Sequence, residues 1–308
     1  MKSIFPLQPA RKCWPNCAAV LLAALLLSPL FGNAEPIEKL QLAQFQGAGD
    51  AGQAYLQQML REALAQTSDY RQLPVGLSEL AMSPQRMFSE ITRPQGLANI
   101  ALWACEGGFM NEPGVRRIDV PVDRGIASYW LLLTREELLP RFRQIKSLEK
   151  LRQMKLTFGF PLGKNLRPAW REYLDIYDAP DVTQAMRMLQ HGRFDAILLN
   201  PSFIPKIRDS LPADGPSLAF EPTLLLEYPS ATCFAVGEQN EALARQLQQG
   251  LQAVIRSGGA KRISEATGQK NMSPELDLDL SRRQRLQLPA SDTMARILKP
   301  YSEWLYKP

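Results

Sequence analysis

Residues Asn99–Cys105 read Asn-Ile-Ala-Leu-Trp-Ala-Cys, an almost unbroken apolar run. A short run without polar alternation has the pattern of a strand covered on both faces, as in a sheet with helices above and below. The segments on either side support that reading. Upstream, Lys39–Phe45 alternates as a strand, residues 47–52 form a glycine-rich loop and Ala54–Ala65 carries helical spacing. Tyr70–Val75 predicts a second strand. Pro84–Thr92 predicts a helix, stopped by Pro94-Gln95-Gly96.

Downstream, Ile118–Val122 and Ala127–Thr134 predict strands, and Ser147 caps a helix to Met154. Lys155–Phe160 predicts a strand and Pro168–Ile176 a helix. Asp181 caps a helix to Leu189 that ends at His191-Gly192. Phe194–Leu199 and Ser230–Val236 predict further strands, and Asn240–Ile255 a long amphipathic helix. Strands alternating with helices in this way define an α/β class with largely parallel sheets. From Gln269 the pattern lapses into adjacent opposite charges, with helical spacing only at Thr293–Leu298, which predicts a tail wrapped over the body.

At the other end, Lys2, Arg11 and Lys12 precede the apolar run Ala18–Leu27, which is followed by Ser28, Pro29 and the small-residue ending Gly32-Asn33-Ala34. This is the pattern of a secretory signal peptide over residues 1–34, cut near Ala34. About ten apolar residues fall short of the roughly 20 that span a bilayer as a helix. A periplasmic location is expected, which excludes cytosolic chemistry. Loss of the three basic residues takes Lys plus Arg from 36 to 33 against 31 Asp plus Glu, so the mature chain has no nucleic-acid footprint. The two cysteines left, Cys105 and Cys233, each lie in an apolar run. An oxidising compartment permits a disulfide between them, and two free core thiols fit the sequence as well.

The order of segments over residues 36–268 resembles that of the type II periplasmic solute-binding proteins (bacterial family 3-like). The resemblance rests on three passages. Asn99–Cys105 precedes the apolar-Asp-Val-Pro pattern Ile118–Pro121; a helix precedes His191-Gly192-Arg193-Phe194-Asp195-Ala196-Ile197-Leu198; and Ala231–Asn240 leads into a helix ending at Ser257-Gly258-Gly259. A narrower likeness is to exported proteins with a Pro-Val-Asp-Arg-Gly block, here Pro121–Gly125, followed by Tyr129-Trp130 and a leucine-rich strand.

The resemblance implies a two-lobed α/β fold, each lobe a mostly parallel sheet flanked by helices, joined by two crossing strands. One lobe would comprise 35–122 and 235–308, the other 123–234. It further implies a substrate-binding protein of a transporter, closing on a small polar solute and recognised by a membrane permease or a sensor ectodomain. A monomer that is not an enzyme is expected. The alternatives are an exported dehydratase-type enzyme on the same scaffold and a ligand-sensing module for a membrane signalling protein. Amino-acid-binding members hold the ligand carboxylate with an arginine where this chain has Asn111 or Glu112, and the amino group with an aspartate near this chain's Asn200. An ordinary amino acid, whose two charges each need a buried partner, is therefore a poor match.

The ligand-binding residues predicted are Gln46, Glu106, Arg124, Lys164, Asn165, Arg167 and Asn200. Glu106 closes a buried strand at the edge where open α/β sheets bind ligands. Arg124 offers a planar two-donor fork beside the inter-lobe crossing, or else braces the hinge in a salt bridge with Asp123 or Glu106. No metal-ligand spacing and no Gly-x-Ser-x-Gly elbow is present. Gly47-x-Gly49-x-x-Gly52 imitates a dinucleotide loop, but no acidic residue ends a strand at the matching distance. No cofactor is expected.

Overall fold

The computed structural model describes residues 37–45, 50–161, 168–201, 204–268 and 279–308. The predicted signal peptide, and Gln46, Lys164, Asn165 and Arg167 of the predicted site, lie outside the described residues. No helix among the described residues is long and apolar enough to cross a membrane.

In chain order the first sheet begins with β1 (Leu40–Phe45), α1 (Asp50–Ala65), β2 (Val75–Met82), α2 (Pro84–Ile91), β3 (Ile100–Ala104) and β4 (Val115–Arg117). The second contributes β5 (Tyr129–Arg135), α3 (Leu139–Phe142), α4 (Leu148–Gln153), β6 (Thr157–Phe160), α5 (Pro168–Tyr173) and β7 (Asp175–Asp178). It continues with α6 (Val182–Gln190), β8 (Ala196–Leu199), α7 (Ile204–Arg208), β9 (Leu218–Phe220) and β10 (Leu224–Glu227). The chain returns through β11 (Thr232–Gly237), α8 (Glu241–Arg256) and α9 (Gly259–Ala266), and ends with β12 (Gln284–Gln287) and α10 (Asp292–Leu298).

The strand order is β2-β1-β3-β11-β4 in one sheet and β12-β10-β5-β8-β6-β7 in the other, with β9 also on β5. Both sheets are mixed, where mostly parallel ones were expected. Every antiparallel pairing involves β5 or β11, the strands that follow the two crossings; the remaining pairings are parallel.

Each sheet is covered on both faces, which accounts for the apolar strands. On the first, Leu40, Ile100, Phe234 and Val236 pack with Tyr55, Leu60, Leu247 and Leu251 of α1 and α8. The opposite face joins Ala101, Cys105 and Cys233 to Phe88 and Ile91 of α2 and Met294 and Ile297 of α10. On the second, Leu132, Leu198 and Leu226 meet Leu151 and Trp170, while Leu131, Ile197 and Leu225 meet Ala185 and Leu189 of α6.

The caps at Ser147 and Asp181 form as predicted, each side chain accepting the N–H of the third residue beyond it. Five expectations need correction. The second strand is Val75–Met82; Tyr70–Pro74 lead into it through a turn closed by Leu73 N–H to Tyr70 O. Residues Ile118–Val122 form no regular strand, since they are the first crossing. The helix expected over Pro168–Ile176 stops at Tyr173, and Asp175 and Ile176 instead open the edge strand Asp175–Asp178, which pairs with β6. The tail, expected with the first lobe, places Gln284–Gln287 beside Leu224–Glu227 of the second sheet. There Leu286 and Leu288 are buried, so the apolar positions of the tail strand decide its docking. Residues 232–234 likewise belong to the first sheet.

Candidate functional site

The two sheets are linked by paired crossings. Ile118 N–H donates to Phe234 O at 2.8 Å and Val122 N–H to Thr232 O at 3.0 Å. Beyond them Ser128 Oγ donates to Ser230 O and accepts from Ser230 N–H, both at 2.8 Å. Cys105 and Cys233 are joined in a disulfide, with Cα atoms 4.8 Å apart. This settles the alternative that the sequence leaves open, and it pins β3 to β11 beside the second crossing.

The Pro121–Gly125 block is the turn that follows the first crossing. Ile126 N–H closes it on Asp123 O at 3.1 Å. Both central residues have positive φ, 54° at Arg124 and 71° at Gly125, the pattern of a type I′ turn. Left-handed backbone costs an L-residue about 1–2 kcal/mol, so Arg124 is held there by its surroundings. Asp123 is buried, and its carboxylate accepts the N–H groups of Gly125 (3.0 Å) and Ala127 (3.1 Å). Burial pushes that carboxyl above its ordinary range, opposed by hydrogen bonds from the backbone of Thr232, Gly125 and Ala127.

The three predicted site residues that the structure describes are each engaged by the protein itself. Glu106 Oε1 accepts a hydrogen bond from the Ser291 hydroxyl, which also caps α10 by accepting Met294 N–H. Its Oε2 is buried with no hydrogen-bond partner among the described residues. The Arg124 guanidinium lies over the Trp304 ring, 5.3 Å from its centroid, with Nε 3.4 Å from Trp304 O. No salt bridge joins Arg124 to Asp123 or Glu106 among the described residues. Asn200, at the end of β8, is buried and donates its amide to Ile126 O (3.0 Å) and Tyr129 O (3.3 Å).

Asn200 thus ties down the turn that carries Arg124, while Arg124 and Glu106 both meet the C-terminal tail. Sequence reasoning missed Ser291 and Trp304; Ser291 was findable as the small polar residue just before an amphipathic stretch. Asn111 and Glu112 are exposed, and Arg116 and Arg117 pair with Glu241 and Asp119. The described cavity, of about 430 Å³, lies elsewhere, between α4, α5 and the starts of β6 and β7.

Two of the solved structures similar to this chain are as follows. One is the GluR0 ligand-binding core in complex with L-glutamate, with 13% identity and a TM-score of 0.50 over 74% of this chain and 97% of that one. The other, from Wolinella succinogenes, is described as the binding component of an ABC transporter complexed with lysine, with 12% identity and a TM-score of 0.50 over 74% of this chain and 95% of that one. At that identity the likeness is one of fold. The chain has the two-lobed α/β fold of the type II periplasmic binding proteins. No family model matches it, and neither does any curated protein.

Proposed function

We propose that this chain is an exported, periplasmic solute-binding protein, a monomer that closes two lobes on a small polar solute for a membrane permease or sensor ectodomain. The observation that carries the reading is the pair of hydrogen-bonded crossings between two separately cored sheets, a geometry in which lobes can swing with both cores intact. The ligands bound in those two neighbours, glutamate and lysine, favour a small polar solute. The exposure of Asn111 and Glu112 favours one other than an ordinary amino acid.

In this reading signal cleavage falls near Ala34, residues 35–122 and 232–268 make one lobe, and 123–231 the other. Gln46, Glu106, Arg124, Lys164, Asn165, Arg167 and Asn200 surround the ligand, and the Pro121–Gly125 block marks the narrower exported subgroup. Binding without chemistry is favoured over a dehydratase-type reaction, because Glu106, the one acid assigned to the strand edge, is hydrogen-bonded to Ser291.

A thermal-shift screen of polar solutes tests this. A specific ligand at 100 times its Kd adds about 2.7 kcal/mol to stability, and scattering with that ligand should show a smaller radius of gyration. Turnover of the ligand that binds would favour the enzyme instead.

A further inference from the structure

The tail does more than cover a surface. β12 pairs along its whole length with β10 of the second sheet. The chain then passes to the first lobe, where Ser291 meets Glu106 and Met294 and Ile297 of α10 enter the core with Phe88 and Cys233. Next it follows the first crossing: Tyr301 Oη donates to Asp119 O at 3.3 Å and Trp304 Nε1 to Pro121 O at 3.2 Å. Finally it returns to the second lobe. Tyr306 N–H donates to Arg124 O at 2.8 Å, and Tyr129 Oη to Tyr306 O at 2.9 Å, with the two tyrosine rings edge to face. The terminal Pro308 carbonyl accepts from Arg285 of β12 itself.

We propose that residues 279–308 form a strap that fixes the angle between the lobes, with Trp304–Tyr306 as its releasable clasp on Arg124 and Tyr129. The strap adds two passages between lobes to the two crossings of the body. Rotation about the hinge requires Val122 and Thr232 to bend while their hydrogen bond survives. The same rotation separates α10 from Tyr129, and so must pull Tyr306 away from Arg124. The turn is shaped for the clasp: Arg124 stays in left-handed backbone with its carbonyl on Tyr306, and a Cβ at Gly125 would lie 3.0 Å from Leu305 Cδ2. A binding-competent open state is then one in which the clasp has let go.

The test needs no ligand and so stands apart from the solute-binding reading. Nitroxide labels at Gln66→Cys, in the turn just after α1, and Thr183→Cys on α6, both exposed, report the distance between lobes by pulsed electron resonance. The full chain should give one narrow distribution. Two variants release the clasp: removal of residues 302–308, which leaves α10 and Tyr301 in place, and the double substitution Trp304→Ala with Tyr306→Ala in the full-length chain. Each should shift the distribution to longer distances and broaden it, with the far-ultraviolet dichroism of the folded protein retained. An unchanged distribution in a folded variant of either kind overturns the proposal and reduces the tail to packing.

Discussion

Arg124 and Trp304, 180 residues apart, meet face to ring: the guanidinium carbon stands 5.3 Å from the indole centroid while its Nε reaches the tryptophan carbonyl. Trp304 Nε1–H also donates to Pro121 O. The indole is thereby wedged between the crossing and the turn that follows it.

Substitutions at Arg124 separate backbone from side chain. Arg124→Gly relieves left-handed backbone strain of about 1 kcal/mol and loses a cation–π contact of about 0.5–1 kcal/mol. The two nearly cancel, and the change in Tm should be small. Arg124→Ile loses the contact and keeps the strain with a β-branched side chain, so it should be destabilising by about 2 kcal/mol. Chemical denaturation of the three proteins side by side checks the order.

Gly250, buried on α8, faces α1 so closely that a Cβ there would lie 2.1 Å from Ala63 O. Alanine would raise helix propensity by about 1 kcal/mol, but the contact is with backbone and cannot rotate aside. Overpacking typically costs about 1–3 kcal/mol. Gly250→Ala should therefore lower the denaturation midpoint, whereas a solvent-facing substitution to alanine on α8, such as Gln249→Ala, should not.

The buried Asp123 gives stability a defined pH dependence. Burial raises its folded-state pKa above the unfolded value, so the folded protein retains a proton that the unfolded chain has lost. That contribution is complete below the unfolded pKa and is lost as pH rises through the folded one. In Asp123→Asn the decline above about pH 4 should flatten, on a curve lowered at every pH because one amide oxygen cannot replace both carboxylate oxygens as acceptors for the Gly125 and Ala127 N–H groups. Thermal scans across a pH series read this directly, and parallel curves for the two proteins would contradict it.

Loss of the disulfide should be expensive. The bond spans 128 residues, and closing a loop of that size constrains the unfolded chain by about 5 kcal/mol in the chain-entropy account. Cys105→Ser with Cys233→Ser should lower the free energy of unfolding by about 3–5 kcal/mol. Added reductant should then leave that variant's midpoint unmoved while shifting the parent's.

Local chemistry was what the sequence exposed. Asn99–Cys105 announced a doubly covered strand, and Ser147 and Asp181 announced helix starts, because each of these signals is carried within a few residues. The short edge strands were opaque. Val115-Arg116-Arg117 and Asp175-Ile176-Tyr177-Asp178 are strands only because β11 and β6 lie beside them. The same holds for β12, whose parallel partner β10 lies well back along the chain. At the candidate site, Pro121 and Gly125 marked Arg124 as constrained, yet its partners Trp304 and Tyr306 are reached only after the chain has built both lobes. Nothing near residue 124 encodes them.

The bond between Cys105 and Cys233 also sets the covalent topology. Residues 106–232 form a ring closed at one point, and this ring holds β4 and every strand of the second sheet except β12. That lobe is therefore a loop hung from a single sulfur link, with one outside strand laid along its edge. A protease nick anywhere within the ring would leave the molecule in one piece on a non-reducing gel and split it in two as soon as reductant is added.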